Sequence, residues 1–182
     1  MIEFMKFSKI PRLSRECVIT EKIDGTNASI YIGEDGEFLT GSRKRWITPE
    51  DDNYGFARWA NENKDELMKL GEGHHFGEWW GLGIQRSYNM KEKVFSLFNT
   101  GRWKDSPDLP ECCRVVPVLF EGMFDTDHIH VVINELSITG SLASPNFMRP
   151  EGVVIWHTAS RSMFKKTIEK DESPKGITEE PK

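Results

Sequence analysis

The sequence predicts an α+β fold of antiparallel sheets with flanking helices, on three observations. Short turns join neighbouring alternating strands at both ends of the chain. Two segments carry apolar residues at helical spacing. Further short apolar runs at 75–80, 93–98 and 115–121 read as strands bounded by turn residues.

The first pair of strands falls at 17–20 and 26–32, the second alternating Ala28, Ile30 and Ile32 against Asn27, Ser29 and Tyr31, as one buried face requires. Asp35-Gly36 supplies hairpin chemistry that returns the chain into FLTGS. From Thr48 the pattern predicts a helix, with Thr48 as N-cap, Pro49 at its first position and acids at 50–52 near the positive end of the dipole. Phe56, Trp59, Ala60, Leu67 and Leu70 share its inner face, and Gly71 and Gly73 end it. A second helix is expected across 128–139, where Ile129, Val132, Ile133 and Leu136 line one face before Gly140. VVIWH at 153–157 and SMFKKTI at 162–168 form a closing hairpin through TASR. Residues 1–168 are thus read as one domain. Residues 169–182 are read as a charged, disordered tail, because they lack any apolar period.

Composition narrows the functional classes. The 182 residues include six Trp and eleven Phe, enough to build a packed core. No apolar run approaches the roughly 20 residues of a membrane span. The opening MIEFMKFSKIP lacks the basic lead and apolar core of a signal peptide, so a cytoplasmic protein with no membrane partner is expected. Three cysteines, Cys17 and the adjacent Cys112-Cys113, have no metal-ligand spacing and are read as reduced. His74-His75 and His128-x-His130 lack a Cys or carboxylate at zinc-site spacing and are read as ordinary strand or loop histidines. A net charge of −5 argues against a generally basic nucleic-acid binder, so any basic groove must be local. SRKRW at 42–46 is the strongest such cluster, followed by MKEK, GRWK and FKK.

The stretch TEKIDGTNASIYIG places Lys22 in a segment that otherwise reads as buried β-structure. A solvent-facing strand position is the ordinary reading of a lone lysine, and Lys-x-Asp-Gly by itself is a weak signal. Order supplies more. Downstream come Ser42-Arg43, FGEWWG with Glu78, VFSLFN with Phe98, EGVVIW led by Glu151, and FKK with Lys165. Taken singly, Glu78 reads as a strand-edge charge, Glu151 as a turn residue and Phe98 as core. Taken together and in this order, they resemble the motif series of the covalent nucleotidyltransferases: ATP-dependent RNA and DNA ligases and mRNA capping enzymes. EKIDGTN is most similar to the nick-sealing RNA ligase branch, and the likeness spans about residues 18 to 168.

The resemblance implies an ATP-grasp-like ligase adenylation domain whose antiparallel sheets form a cleft for ATP. It implies Lys22 as the nucleophile that takes AMP, Arg43 as a contact to nucleotide and polynucleotide, Phe98 as the residue stacked on adenine, and Lys165 as a cation at the phosphates. It implies Glu78 and Glu151 as acids associated with Mg²⁺ or Mn²⁺, and Asn27 and Glu21 as contacts to phosphate and base. The implied partners are RNA ends or nicks, with DNA as an alternative. Elementary chemistry agrees. A free lysine, with a pKa of about 10.4, is deprotonated in only about one molecule per thousand near neutral pH, so a nucleophilic lysine needs desolvation or neighbouring cations, from Lys165 or the metal. Mg²⁺ keeps several waters and needs only one or two protein acids.

Two positions depart from the family pattern. The second motif lysine, expected two residues after the first, is absent: Lys165 is followed by Lys166 and Thr167, so either the register slips or Thr167 stands in its place. Asn99 follows Phe98 where an Asp is common. Many relatives append an OB-fold or helical domain after the last motif, and by this resemblance a minimal catalytic domain is expected here, relying on a separate nucleic-acid-binding subunit or on weak binding through local basic clusters. The expected function is an ATP-dependent RNA ligase that passes AMP from lysine to a 5′-phosphate and joins it to a 3′-hydroxyl, with a DNA ligase or GTP-using capping enzyme, and a nucleotide or RNA-end binding module without turnover, as the alternatives.

Overall fold

The computed structural model describes residues 2–172. Its strands are β1 (Glu16–Lys22), β2 (Thr26–Ile32), β3 (Phe38–Ser42), β4 (Trp46–Ile47), β5 (Gly73–Gly81), β6 (Lys93–Leu97), β7 (Cys113–Val115), β8 (Val118–Met123), β9 (Gly152–His157) and β10 (Ser162–Thr167). Its helices are α1 (Phe56–Glu62), α2 (Lys64–Leu67), α3 (Thr100–Trp103) and α4 (Thr126–Thr139). A four-stranded sheet runs β10-β9-β1-β8 and a six-stranded sheet runs β4-β3-β2-β5-β6-β7. The α+β class and the antiparallel sheets expected from the sequence are therefore present.

Each sheet buries one face under helices. On the six-stranded sheet, Ala28, Ile30, Trp79, Phe95 and Leu97 meet Phe56, Ala60, Leu67 and Leu70. On the four-stranded sheet, Cys17, Ile19, Val153 and Ile155 meet Ile129, Val132 and Leu136 of α4. Burying each such large aliphatic or aromatic side chain is worth about 1.5–3 kcal/mol. The opposite faces of the two sheets are left for the site. A third cluster, Ile23, Trp80, Tyr88, Val94, Val116 and Phe147, packs where the chain passes between sheets.

Four details depart from the sequence expectation. The first helix begins at Phe56 rather than after Thr48, because residues 48–51 close a turn in which Asp51 N–H donates to Thr48 O at 3.1 Å and Arg45 pairs with Asp51. The N-cap chemistry comes instead from Asp52, whose carboxylate accepts from the N–H groups of Ala57 at 2.8 Å and Arg58 at 3.1 Å. That helix is also interrupted at Asn63, which separates α1 from α2. Second, the expected strand at 115–121 is split. Pro117 has no N–H to donate, and at this point the chain leaves β7 in one sheet to begin β8 in the other, while Pro117 O accepts from Glu21 N–H at 2.9 Å. Third, β7 pairs parallel to β6, which the crossover through residues 98–112 and α3 permits. Fourth, the histidines of the second pair lie on α4, while His74 and His75 lie on β5.

The expected charged tail begins at Glu169. Asp171 accepts from Thr167 N–H at 2.8 Å and from Lys166 Nζ at 3.2 Å, folding residues 168–171 back on β10. Residues 173–182, on which the rest of that expectation falls, lie outside the described residues.

Candidate active site

Lys22 is the last residue of β1, and the chain turns from there into β2 of the other sheet. Cys17, Ile19 and Glu21 alternate onto the face covered by α4, so Val18, Thr20 and Lys22 point the other way. Lys22 Nζ donates to Glu151 Oε2 at 2.5 Å, with the lysine side chain 19% and the glutamate 3% exposed. The register pairs Lys22 with Gly152 and Gly152 with Thr167. A Cβ at Gly152 would collide with Lys166 O and lie 2.7 Å from Thr167 Cα, so only glycine lets β10 close over this point.

The neighbouring row pairs Thr20 with Val154 and Val154 with Lys165. Lys165 and Thr167 therefore share the sheet face of Lys22, whereas Lys166 points to the other face and pairs with Asp171. The β9–β10 pairing is continuous, so Thr167, two residues after Lys165, lies on the same face as Lys165. Lys165 is exposed, on a strand roughly 10 Å from β1.

Glu78 comes from β5. Its carboxylate accepts from Gly25 N–H at 3.0 Å and Asn27 Nδ2 at 3.2 Å. Burial raises its pKa from 4.5 to about 7. Lys22 and the Gly25 N–H oppose that rise, while Glu151 and Asp24 add to it. Lys22, Glu151 and Asp24 thus all lie within electrostatic reach of Glu78. Gly25 is required by close approach, because a Cβ there would stand 2.5 Å from Trp79 O and 2.7 Å from Trp80 Cβ. Asp24 accepts from Arg86 Nε at 3.0 Å and donates its N–H to Tyr88 Oη at 2.9 Å.

The remaining expected site residues are spread more widely. Phe98 N–H donates to Phe76 O at 2.9 Å, and as a continuation of β6 past Ser96, which pairs with Glu78, Phe98 lies on the Glu78 face of the sheet. Arg43 sits in the β3–β4 turn and is exposed. Glu21 faces away from Lys22: its carboxylate accepts from Ser141 Oγ at 2.6 Å and from the N–H groups of Leu142 at 2.8 Å and Ala143 at 2.9 Å. Burial raises the Glu21 pKa against these three donors.

Among the described residues no group of three or more His, Cys, Asp or Glu side chains could hold a metal ion. Two buried carboxylates beside a single ammonium nevertheless suit Mg²⁺ or Mn²⁺, which completes its shell with water and phosphate oxygens.

A family model described as RNA ligase matches residues 15–170. The chain belongs to the RNA ligase family. Among solved structures, a variant of the Naegleria gruberi RNA ligase with ATP and Mn superposes with a TM-score of 0.67 at 22% identity, covering 86% of this chain and 51% of that one. A second variant of the same ligase, with AMP and Mn, gives a TM-score of 0.63 at 20% identity, covering 85% and 50%. This RNA ligase family chain spans about half the length of the solved structures it matches. No curated protein matches it. No helix among its described residues is long and apolar enough to cross a membrane.

Two supporting residues of this RNA ligase family site escaped the sequence reading. Arg86 holds Asp24 and donates from Nη1 to Arg149 O at 2.9 Å, and so joins the Lys22 turn to the segment leading into Glu151. Tyr88 is fully buried, its ring 4.4 Å from Phe147 and 5.2 Å from Trp80 between centroids. Gln85, Ser87, Tyr88 and Asn89 all have positive φ, a run of strained backbone that packing must enforce. The one available sign was a charged and aromatic cluster, QRSYN, shortly after Gly83.

Proposed function

We propose that this chain is an ATP-dependent RNA ligase acting through a covalent lysyl-AMP intermediate, with residues 1–168 as the catalytic unit. One observation carries the reading: the Lys22 amine meets Glu151 at 2.5 Å and lies within electrostatic reach of Glu78, so three segments distant in sequence converge on one nucleophile. The Naegleria gruberi ligase of like fold holds ATP or AMP with Mn, which supports ATP and Mg²⁺ or Mn²⁺ as the cofactors here.

Lys22 Nζ attacks the α-phosphorus of ATP. An N–P bond forms, the bond to pyrophosphate breaks, and the amine proton passes towards the adjacent Glu151 carboxylate. A 5′-phosphate oxygen of an RNA end then attacks the same phosphorus and breaks the N–P bond, restoring the lysine. Finally a 3′-hydroxyl attacks the activated 5′-phosphate and expels AMP, joining the strands. A divalent cation held by Glu78 and Glu151 would neutralise charge on the phosphate oxygens. Phe98 stacks on adenine, Asn27 contacts phosphate or base, Arg43 holds the nucleotide and later the polynucleotide, and Lys165 adds positive charge from β10. Glu21 serves the site by anchoring the turn at 141–143 beside β1.

Intact mass after incubation with ATP and Mg²⁺ tests this. The wild-type chain gains one AMP, and Lys22→Ala gains none while keeping its far-UV circular dichroism. An adduct that persists on Lys22→Ala sinks the assignment. Sealing assays on nicked RNA, broken stem-loops and single strands then define the substrate. A module that binds ATP without turnover is the second reading, favoured by Thr167 in place of a second lysine. ATP binding with no adduct in either Mg²⁺ or Mn²⁺ would select it.

A further inference from the structure

The cleft face of the six-stranded sheet carries a run of aromatic rings that the chemistry above does not use. Tyr31 and His74 are paired across β2 and β5, their ring centroids 4.6 Å apart. Trp46 lies 6.3 Å from Tyr31 and 6.1 Å from His74, and stacks on the His74 ring at an interplanar angle of 20°. Phe76 extends the run from His74 at 5.8 Å and 7°. Trp46 is 50% and Phe76 57% exposed, and His74 is exposed as well.

The sheet beneath is built to let these rings lie over it. Ser29 pairs with Gly41 and Gly41 with Trp46, and a Cβ at Gly41 would press 3.3 Å from the Trp46 ring and 2.5 Å from Ser29 Oγ. Two small residues therefore make the floor on which the indole rests.

Position and charge indicate what covers the run. Phe76 is one pleat repeat from Glu78 on the same strand and face, so the rings lead directly into the Lys22 site. Arg43 and Lys44, both exposed, stand at the β3–β4 turn beside Trp46. The acids Glu34, Asp35 and Glu37 crowd the β2–β3 turn at the far end, where a polyanion must leave the sheet. Exposed rings on a sheet face, flanked by cations and continuous with a site for nucleic-acid chemistry, match the general way single-stranded RNA is held: bases stack on aromatic faces while cations track phosphates. Isolated exposed apolar residues need no explanation, but a contiguous patch does.

We propose that Trp46, Tyr31, His74 and Phe76 form a stacking platform for the bases of the RNA strand that leads into the Lys22 site. This rests on the RNA ligase reading and deepens it. It also supplies, within the chain, a grip on RNA despite the overall negative charge.

Fluorescence anisotropy of a labelled single-stranded oligoadenylate with the full chain tests the platform. Trp46→Ala weakens binding about tenfold and His74→Ala weakens it in the same direction, since losing one stacked base of about 1.4 kcal/mol is a factor of ten in affinity. Trp46→Phe, which keeps a ring, stays within about twofold of wild type. An abasic oligonucleotide of equal length binds wild type and Trp46→Ala alike. Equal oligoadenylate affinity of wild type and Trp46→Ala overturns the platform, as does an equal loss on the abasic strand. Concentration-dependent dimers that vanish in Trp46→Ala without a change in RNA affinity also overturn it, and assign the patch to a second copy. Labelling of Lys22 by ATP in the same preparations reads the underlying function separately. If wild type takes no AMP while Trp46→Ala still loses oligoadenylate affinity, the ligase reading fails and the platform stands.

Discussion

At the scale of single residues, Glu78 has the most instructive electrostatics. It is buried with Glu151 and Asp24 nearby, and its pKa rises from 4.5 to about 7. A raised folded-state value means that the native state binds the proton more tightly than the unfolded chain does. The associated stability is fully present below about pH 4.5 and is lost as pH rises through about 7. Glu78→Gln removes the titration and keeps one acceptor oxygen for the Gly25 N–H, while the hydrogen bond from Asn27 Nδ2 to the second oxygen is lost at every pH and so drops out of the pH dependence. In metal-free buffer we expect the variant to gain stability relative to wild type between pH 5 and pH 8, by on the order of 3 kcal/mol. Urea melts at the two pH values measure this, and a difference that does not change with pH would refute the electrostatic reading of the site.

At the scale of elements, the site depends on where strands end. β1 stops at Lys22, β9 starts at Gly152 immediately after Glu151, and β10 closes against Gly152. Gly152→Ala forces a methyl group into the β10 backbone at Lys166 and Thr167. Overpacking of this kind costs about 1–3 kcal/mol, and here it displaces β10 from the strand end that carries Glu151. We expect lower thermal stability together with a fall of tenfold or more in AMP labelling of Lys22. Gly101→Ala, on α3 with no positive φ and only Asn99 Oδ1 at 3.8 Å from its missing Cβ, serves as the control. Loss of labelling without loss of stability in Gly152→Ala would show that β10 acts on the nucleotide and not on the packing.

At the scale of the whole molecule, two sheets with separate cores must be held in one arrangement for Lys22, Glu78 and Glu151 to meet. The chain crosses between them after Lys22 and at Pro117, and the Ile23, Trp80, Tyr88 and Phe147 cluster fills the junction. Arg86 adds a polar tie, joining the Asp24 turn to the backbone at 149 and 150. Its partner Asp24 is largely buried, at 13% side-chain exposure, so truncating the arginine removes a charge-assisted hydrogen bond to that carboxylate. Arg86→Ala is expected to cost about 1–3 kcal/mol and to lower the rate of lysine labelling. Arg86→Lys should restore less than half of that rate, because an ammonium cannot span both Asp24 and the carbonyls in the manner of a planar fork. Full rescue by lysine would mean that charge alone matters there.

Local information settled the β1–β3 strands, the closing hairpin, the α4 face and the order of the site motifs. Alternation in β2 and the Asp35-Gly36 turn needed only neighbouring residues, and Ile129, Val132 and Leu136 are buried as their spacing requires. The ordered motifs named Lys22, Glu78 and Glu151, which tertiary folding then brings together. Other features depend on partners far along the chain, which no local pattern encodes. The start of α1 was decided by Asp52 reaching forward to it, and the split at Pro117 by the presence of a second sheet. The side of β10 that faces Lys22, the engagement of Glu21 by residues 141–143, and the tie through Arg86 and Tyr88 were likewise decided only in three dimensions. Periodicity reports which face of an element is apolar, whereas a site is made by the contacts between elements, and those contacts exist only once the two sheets have packed.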